Sequence, residues 1–84
     1  MNDESPVRPE IPAEVAWLRR DGFSAIRAWR EHLGVSREEL ASRLGASPAA
    51  VAQLEAAKAK PRAATLKKVA AALGISWEVL REEG

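Results

Sequence analysis

The sequence predicts an all-α fold, a small bundle of short helices, on three observations. Ala, Leu, Glu, Arg and Lys dominate, with few aromatics and no Tyr. Leu66, Val69, Ala70 and Leu73 recur at the i, i+3, i+4, i+7 spacing that lays an apolar stripe along one helix face. Finally, the string Leu-Gly-x-Ser occurs three times, as LGVS at 33–36, LGAS at 44–47 and LGIS at 73–76. In each, Gly supplies the left-handed backbone that ends a helix, and Ser two residues later caps the next one, so the chain marks its own corners. The spacings are unequal, so the recurrence is a corner device and not a solenoid repeat.

Taken in order, Met1 to Pro12 carries three prolines, early charges and little to bury, which predicts an extended or disordered arm. Pro12 starts a short helix, 13–20, with Val15 and Leu18 on one side, closed by Gly22. Residues 1–23 therefore read as an appendage, and residues 24–84 as the folded unit. Within it, helices are expected near 24–33, 37–44, 48–57, 63–73 and 77–83. Ser36 caps the helix at 37, and Glu39 three residues on completes a capping box, while Val35 and Leu40 close a hydrophobic staple. Leu40, Ala41 and Leu44 then face inward until Gly45 turns the chain. Ser47 caps the next helix and Pro48 fits its first turn, where no amide bond is lost. Val51 and Leu54 form its inward stripe, leaving Pro48, Ala49, Ala52, Gln53 and Ala56 outside. Pro61 separates this helix from the next.

Two charges interrupt the apolar stripes. Arg30 lies four residues after Ile26 and three before Leu33, and Glu55 lies four after Val51. Each needs a partner if buried, and the expectation is that they pair with each other and fix how their helices dock.

At 84 residues the chain is one domain, near the size at which a single core just suffices. It contains no cysteine, which removes disulfides and thiolate metal sites and suggests a reducing compartment. No apolar run approaches the ~20 residues of a membrane-spanning helix, and the acidic, Pro-containing start does not resemble a signal peptide. The expectation is a cytoplasmic protein with no membrane partner. Net charge is +1, but its distribution is uneven: residues 1–23 sum to −2, residues 24–55 balance, and between Glu55 and Glu78 only Lys58, Lys60, Arg62, Lys67 and Lys68 are charged. This basic stretch follows the helix pair directly. A solvated helix face is the ordinary account of it, and a nucleic-acid patch is the sharper one.

The unit Ser36 to Glu55, two short helices with a glycine corner, is most often a DNA-reading device. The run GVSREELASRLGASPAAVAQLEAAKAKPRAATLKKVAAALGIS resembles the helix-turn-helix domain of the lambda-type repressors, the Cro/C1 or Xre family, whose fold is a five-helix bundle. The resemblance covers about Ala25 to Leu80, and the short helix before it would be an extra element. It implies a homodimer that binds a palindromic operator in double-stranded DNA, with helix 48–57 in the major groove and half-sites ~34 Å apart. The family's paired Arg and Glu correspond to Arg30 and Glu55. Carried across by position, Arg37, Ser47, Ala49 and Gln53 face bases or phosphates, and Lys58, Lys60 and Arg62 contact the backbone. Gln53 can pair with adenine and Ala49 can touch a thymine methyl. Terminal helices commonly pair in this family, which makes Trp77 and Leu80 candidate dimer contacts. The chain departs from the usual pattern in its alanine-rich reading face, in Pro48, and in Ala57 where a Gly commonly closes the helix.

The stretch Ile11 to Leu44 is further similar to HigA-like antitoxins of type II toxin–antitoxin pairs, most tellingly in IRAWREHLG. That resemblance implies a protein that neutralises a ribonuclease toxin and represses its own operon, with Ile11, Val15, Trp17 and Leu18 as a toxin-binding arm. The competing account is that Val15, Leu18 and Trp29 pack together and extend the core. A free-standing regulator and an interaction module on a degenerate scaffold stay open beside it. No cofactor, metal site or enzymatic activity is expected. His32 has no clustered ligands at metal spacing, Glu38 and Glu39 face different directions, and there is no nucleophile constellation or glycine-rich phosphate loop.

Overall fold

The computed structural model describes residues 11–81, within which the chain forms five α-helices, one 3-10 turn and no strand. The helices are α1 (Ala13–Arg20), α2 (Ala25–His32), α3 (Arg37–Leu44), α4 (Pro48–Leu54) and α5 (Ala63–Leu73), followed by the turn Trp77–Val79. Most of the expected N-terminal arm, residues 1–10, lies outside the described residues.

Each corner is built by local chemistry. Gly34, Gly45 and Gly74 all adopt left-handed φ between 68° and 73°. Ser36 accepts a hydrogen bond from the Glu39 amide at 3.0 Å, and Ser47 accepts one from the Ala50 amide at 3.1 Å. Ser24 caps α2 in the same way through the Arg27 amide, and Ser76 caps the terminal turn through the Glu78 amide. Each bond satisfies an amide that the first helical turn would otherwise leave without a partner. The capping box at Ser36 is only half made: the Glu39 carboxylate turns forward to Arg43, at 3.0 Å, one helical turn along.

One core joins all the helices. Ala28, Leu40, Val51 and Val69 are fully covered, and Ile26, Trp29, Ala41, Leu66, Ala70 and Leu73 complete its buried layer, against which Val35, Leu44 and Leu54 pack. The short N-terminal helix is part of it, because Val15 on α1 is 1% exposed. Glu14 on α1 also meets His32 on α2, Oε1 to Nδ1 at 2.8 Å. His32 stands edge-on to Trp29, with no metal-binding cluster of His, Cys, Asp or Glu around it among the described residues. Arg43 ties α3 to α5 by donating to the Ala72 carbonyl at 2.9 Å. No helix among the described residues is long and apolar enough to cross a membrane.

Two elements differ from the sequence expectation. The helix expected at 48–57 stops at Leu54, with Glu55 as a right-handed C-cap and a turn in which the Ala59 amide donates to Ala56. Without a glycine at 55–58 the chain has no low-strain left-handed exit, so it unwinds through right-handed turns. The helix expected at 77–83 is a single 3-10 turn up to residue 81, and residues 82–84 lie outside the description. Its tighter i→i+3 bonds, Val79 to Ser76 and Leu80 to Trp77, accompany the burial of Leu80 at 1% exposure.

Candidate nucleic-acid interface

The second helix of the capped pair presents its outer side to solvent. Val51 faces the core at 0% exposure and Leu54 is half-buried, while Pro48, Ala49, Ala52, Gln53 and Ala56 are exposed. With period 3.6, burying 51 and 54 necessarily turns 49, 52, 53 and 56 outward. Ser47 stands exposed at the head of this face, with its oxygen accepting the Ala50 amide and its hydroxyl hydrogen left to donate. Of the five exposed side chains from Pro48 to Ala56, four are alanine or proline, which leaves Gln53 as the one among them that can both donate and accept.

The loop after α4 carries the charge. Ala59 and Pro61 are half-buried and anchor it, while Lys58, Lys60 and Arg62 are exposed. None of these three cations pairs with an acid among the described residues. An apolar reading helix flanked by unneutralised cations suits a polyanion whose grooves admit a helix.

Beneath this face lies the buried ion pair. The Arg30 Nε donates to Glu55 Oε2, its Nη2 reaches Oε1 at 3.3 Å, and its Nη1 donates to the Val35 carbonyl at 2.7 Å. The side chains are 8% and 2% exposed, so the pair sits inside the protein and joins α2 to the end of α4. Arg37, the first residue of α3, shares the same carboxylate through its Nε at 2.9 Å from Oε1. This second arginine of the cluster is a contact that pairwise reasoning on the sequence missed. The available signal was that a carboxylate offers about four lone-pair sites, more than one guanidinium fills.

Two expected surface residues lie elsewhere. Val15 belongs to the protomer's core, which removes it from any partner-binding face; Ile11 and Trp17 are 50% and 59% exposed, and Leu18 is half-buried. Leu80 is likewise a core residue, driven inside by its apolar side chain at the end of the 3-10 turn, so it is not a dimer contact. Trp77 is half-buried, with Lys67 Nζ 5.0 Å and the Arg81 guanidinium 5.3 Å from its ring centre.

A capped helix, a left-handed glycine corner and a second capped helix docked by a buried Arg–Glu pair define a helix-turn-helix unit. The helix-turn-helix family model of the Cro/C1 (Xre) type matches residues 26–80, and the chain belongs to that family. It is 38% identical over 56 residues to an uncharacterized HTH-type transcriptional regulator of Archaeoglobus fulgidus, a match that covers 67% of this chain. The match takes in only 24% of that relative's length. No solved structure matches the chain at the same stringency. Helix α1 precedes the matched region and so lies outside the family's shared frame.

Proposed function

We propose that this protein is a homodimeric transcriptional regulator that binds operator DNA with α4 in the major groove. The observation that carries this reading is the exposed face of α4, topped by Ser47 and flanked by Lys58, Lys60 and Arg62, which pair with no acid among the described residues. Gln53 reads a base edge and Ala49 offers a methyl contact, while the cations and Arg37 bind phosphates. With so few hydrogen-bonding groups on α4, much of the selectivity rests on DNA shape and deformability. Dimerisation through the Trp77 end of the protomer would place two α4 helices on half-sites one turn apart, ~34 Å. Trp77, with the Arg81 guanidinium over its ring, combines the aromatic and arginine side chains that interfaces favour.

The test is selection of bound duplexes from a random pool, followed by titration of a selected and a random duplex at several salt concentrations. Log affinity should fall linearly with log salt. Gln53→Ala should lose about 1–3 kcal/mol on the selected duplex and leave the random one unchanged. Replacing Lys58, Lys60 and Arg62 together by Ala should weaken both equally. Absence of salt-sensitive binding to any duplex would discard the reading and favour an interaction module on a helix-turn-helix scaffold.

A finer version makes the protein the antitoxin of a type II pair, which neutralises a ribonuclease toxin and represses its own operon. It is favoured by the segment around α1, which lies outside the family match: Ile11 before the helix and Trp17 on it are exposed, although Val15 is buried. Capture of the protein from its source cells should then bring down a small ribonuclease. Trp17→Ala should release that partner while duplex binding is unchanged. Recovery of DNA with no ribonuclease would leave a free-standing regulator.

A further inference from the structure

The two arginines that share Glu55 are used differently. Arg30 commits every kind of nitrogen it has, Nε and Nη2 to Glu55 and Nη1 to the Val35 carbonyl. Arg37 commits only Nε, and of the five N–H donors of a guanidinium the four terminal ones have no protein acceptor among the described residues. Its side chain is 41% exposed against 2% for the carboxylate that grips it.

The charges point the same way. Arg27 pairs with Glu31 at 3.1 Å and Arg30 pairs with Glu55, with Arg30 also 3.6 Å from Glu31. Three cations therefore meet two anions, and Arg37 supplies the one positive charge left over. It also occupies the first position of α3, where the helix dipole disfavours a cation. A cation tethered at that end, with its fork of donors free, is arranged for an anion from outside.

We propose that Glu55 is a positioning residue for DNA binding: by holding Nε it fixes the Arg37 guanidinium with its terminal amino groups outward, as a clamp for a backbone phosphate. The inference rests on the DNA-binding reading. One buried carboxylate then does two things, docking α2 on α4 and aiming a phosphate contact at the entrance to α3. Freezing the side chain before binding removes the ordering entropy that a free arginine would lose.

The test uses the full chain and a random-sequence duplex, so that base readout does not enter. Arg37→Ala should lower affinity roughly tenfold, the effect of one charge-assisted hydrogen-bonded contact, and reduce the salt slope by about 0.9. Arg37→Lys should keep the slope and still lose affinity, because an ammonium cannot be gripped at one nitrogen and clamp with two others. In the Arg30→Met/Glu55→Met double variant, which replaces the clasp by apolar side chains, affinity should fall as far as in Arg37→Ala. Adding Arg37→Ala to it should change little more. If that double variant does not fold, nitrogen NMR of the wild type decides: a rigid, slowly exchanging Arg37 Nε–H supports the proposal, and one as mobile as that of exposed Arg62 overturns it. Wild type that binds no duplex would defeat the DNA-binding reading itself. Wild-type binding with an unchanged salt slope in Arg37→Ala, or full affinity in the folded apolar-clasp variant, would defeat this inference alone.

Discussion

Breaking the Arg30–Glu55 clasp from its two sides should have unequal effects, and the inequality follows from the hydrogen bonds. Removing one partner of a buried pair strands the other charge, at about 3–5 kcal/mol. In Glu55→Ala the stranded group is Arg30, 8% exposed, left with the Val35 carbonyl and with Glu31 at 3.6 Å. In Arg30→Ala the stranded group is Glu55, 2% exposed, which still accepts from Arg37 at 2.9 Å. Glu55→Ala should therefore fall near the upper end of that range and Arg30→Ala near the lower. An 84-residue domain is stable by roughly 4–13 kcal/mol, so the first variant approaches global unfolding. Each kcal/mol lowers Tm by about 4–8 °C at this size, which predicts a drop of roughly 12 °C or more for either variant. Urea denaturation at one fixed protein concentration measures the difference directly. The Arg30→Met/Glu55→Met double variant, which strands no charge, should recover most of the loss. Losses below about 1 kcal/mol in both single variants would show the pair to be as weak as a surface ion pair and refute the argument. Equal losses would remove Arg37 from the account.

Gly45→Ala should cost about 1–2 kcal/mol, because φ there is 68° and no atom lies within 4 Å of the added Cβ, so the penalty is backbone strain alone. A loss under 0.5 kcal/mol by urea denaturation would mean that the corner tolerates a right-handed residue. On α1, Val15→Ala should destabilise by roughly 2 kcal/mol for two buried methyl groups and their cavity. Trp17→Ala, at a position 59% exposed, should fall within ±0.5 kcal/mol. Reversal of that order would mean that α1 docks by its other face. Ser47→Ala should lose about 1 kcal/mol through the Ala50 amide it caps, and an unchanged Tm would show that water serves that amide equally well.

Much of the fold was legible in the chain because its corners are chemical. Gly34, Gly45 and Gly74 are left-handed and Ser36, Ser47 and Ser76 are caps, and both preferences belong to a few consecutive residues. The outer side of α4 was legible for a related reason, since a helix with Val51 and Leu54 inside has only one way to face Gln53. The terminal turn was less so: 77–83 has helical composition, but whether it completes a second turn depends on where Leu80 meets the core. Likewise the pattern on α1 placed Val15 with Ile11, Trp17 and Leu18, and packing separated them, burying Val15 and leaving Trp17 outside.

Sequence by itself determined the all-helical class, the positions of the corners and the need of two charged residues on apolar stripes for partners. These follow from backbone sterics, capping bonds and the penalty for an unpaired buried charge, all of which act within a few residues. Only the tertiary structure decided that Glu55 serves two arginines, that α1 joins the core and that Leu80 turns inward. Each of those depends on which surfaces meet across the bundle, and periodicity along one helix carries no information about the distance to another.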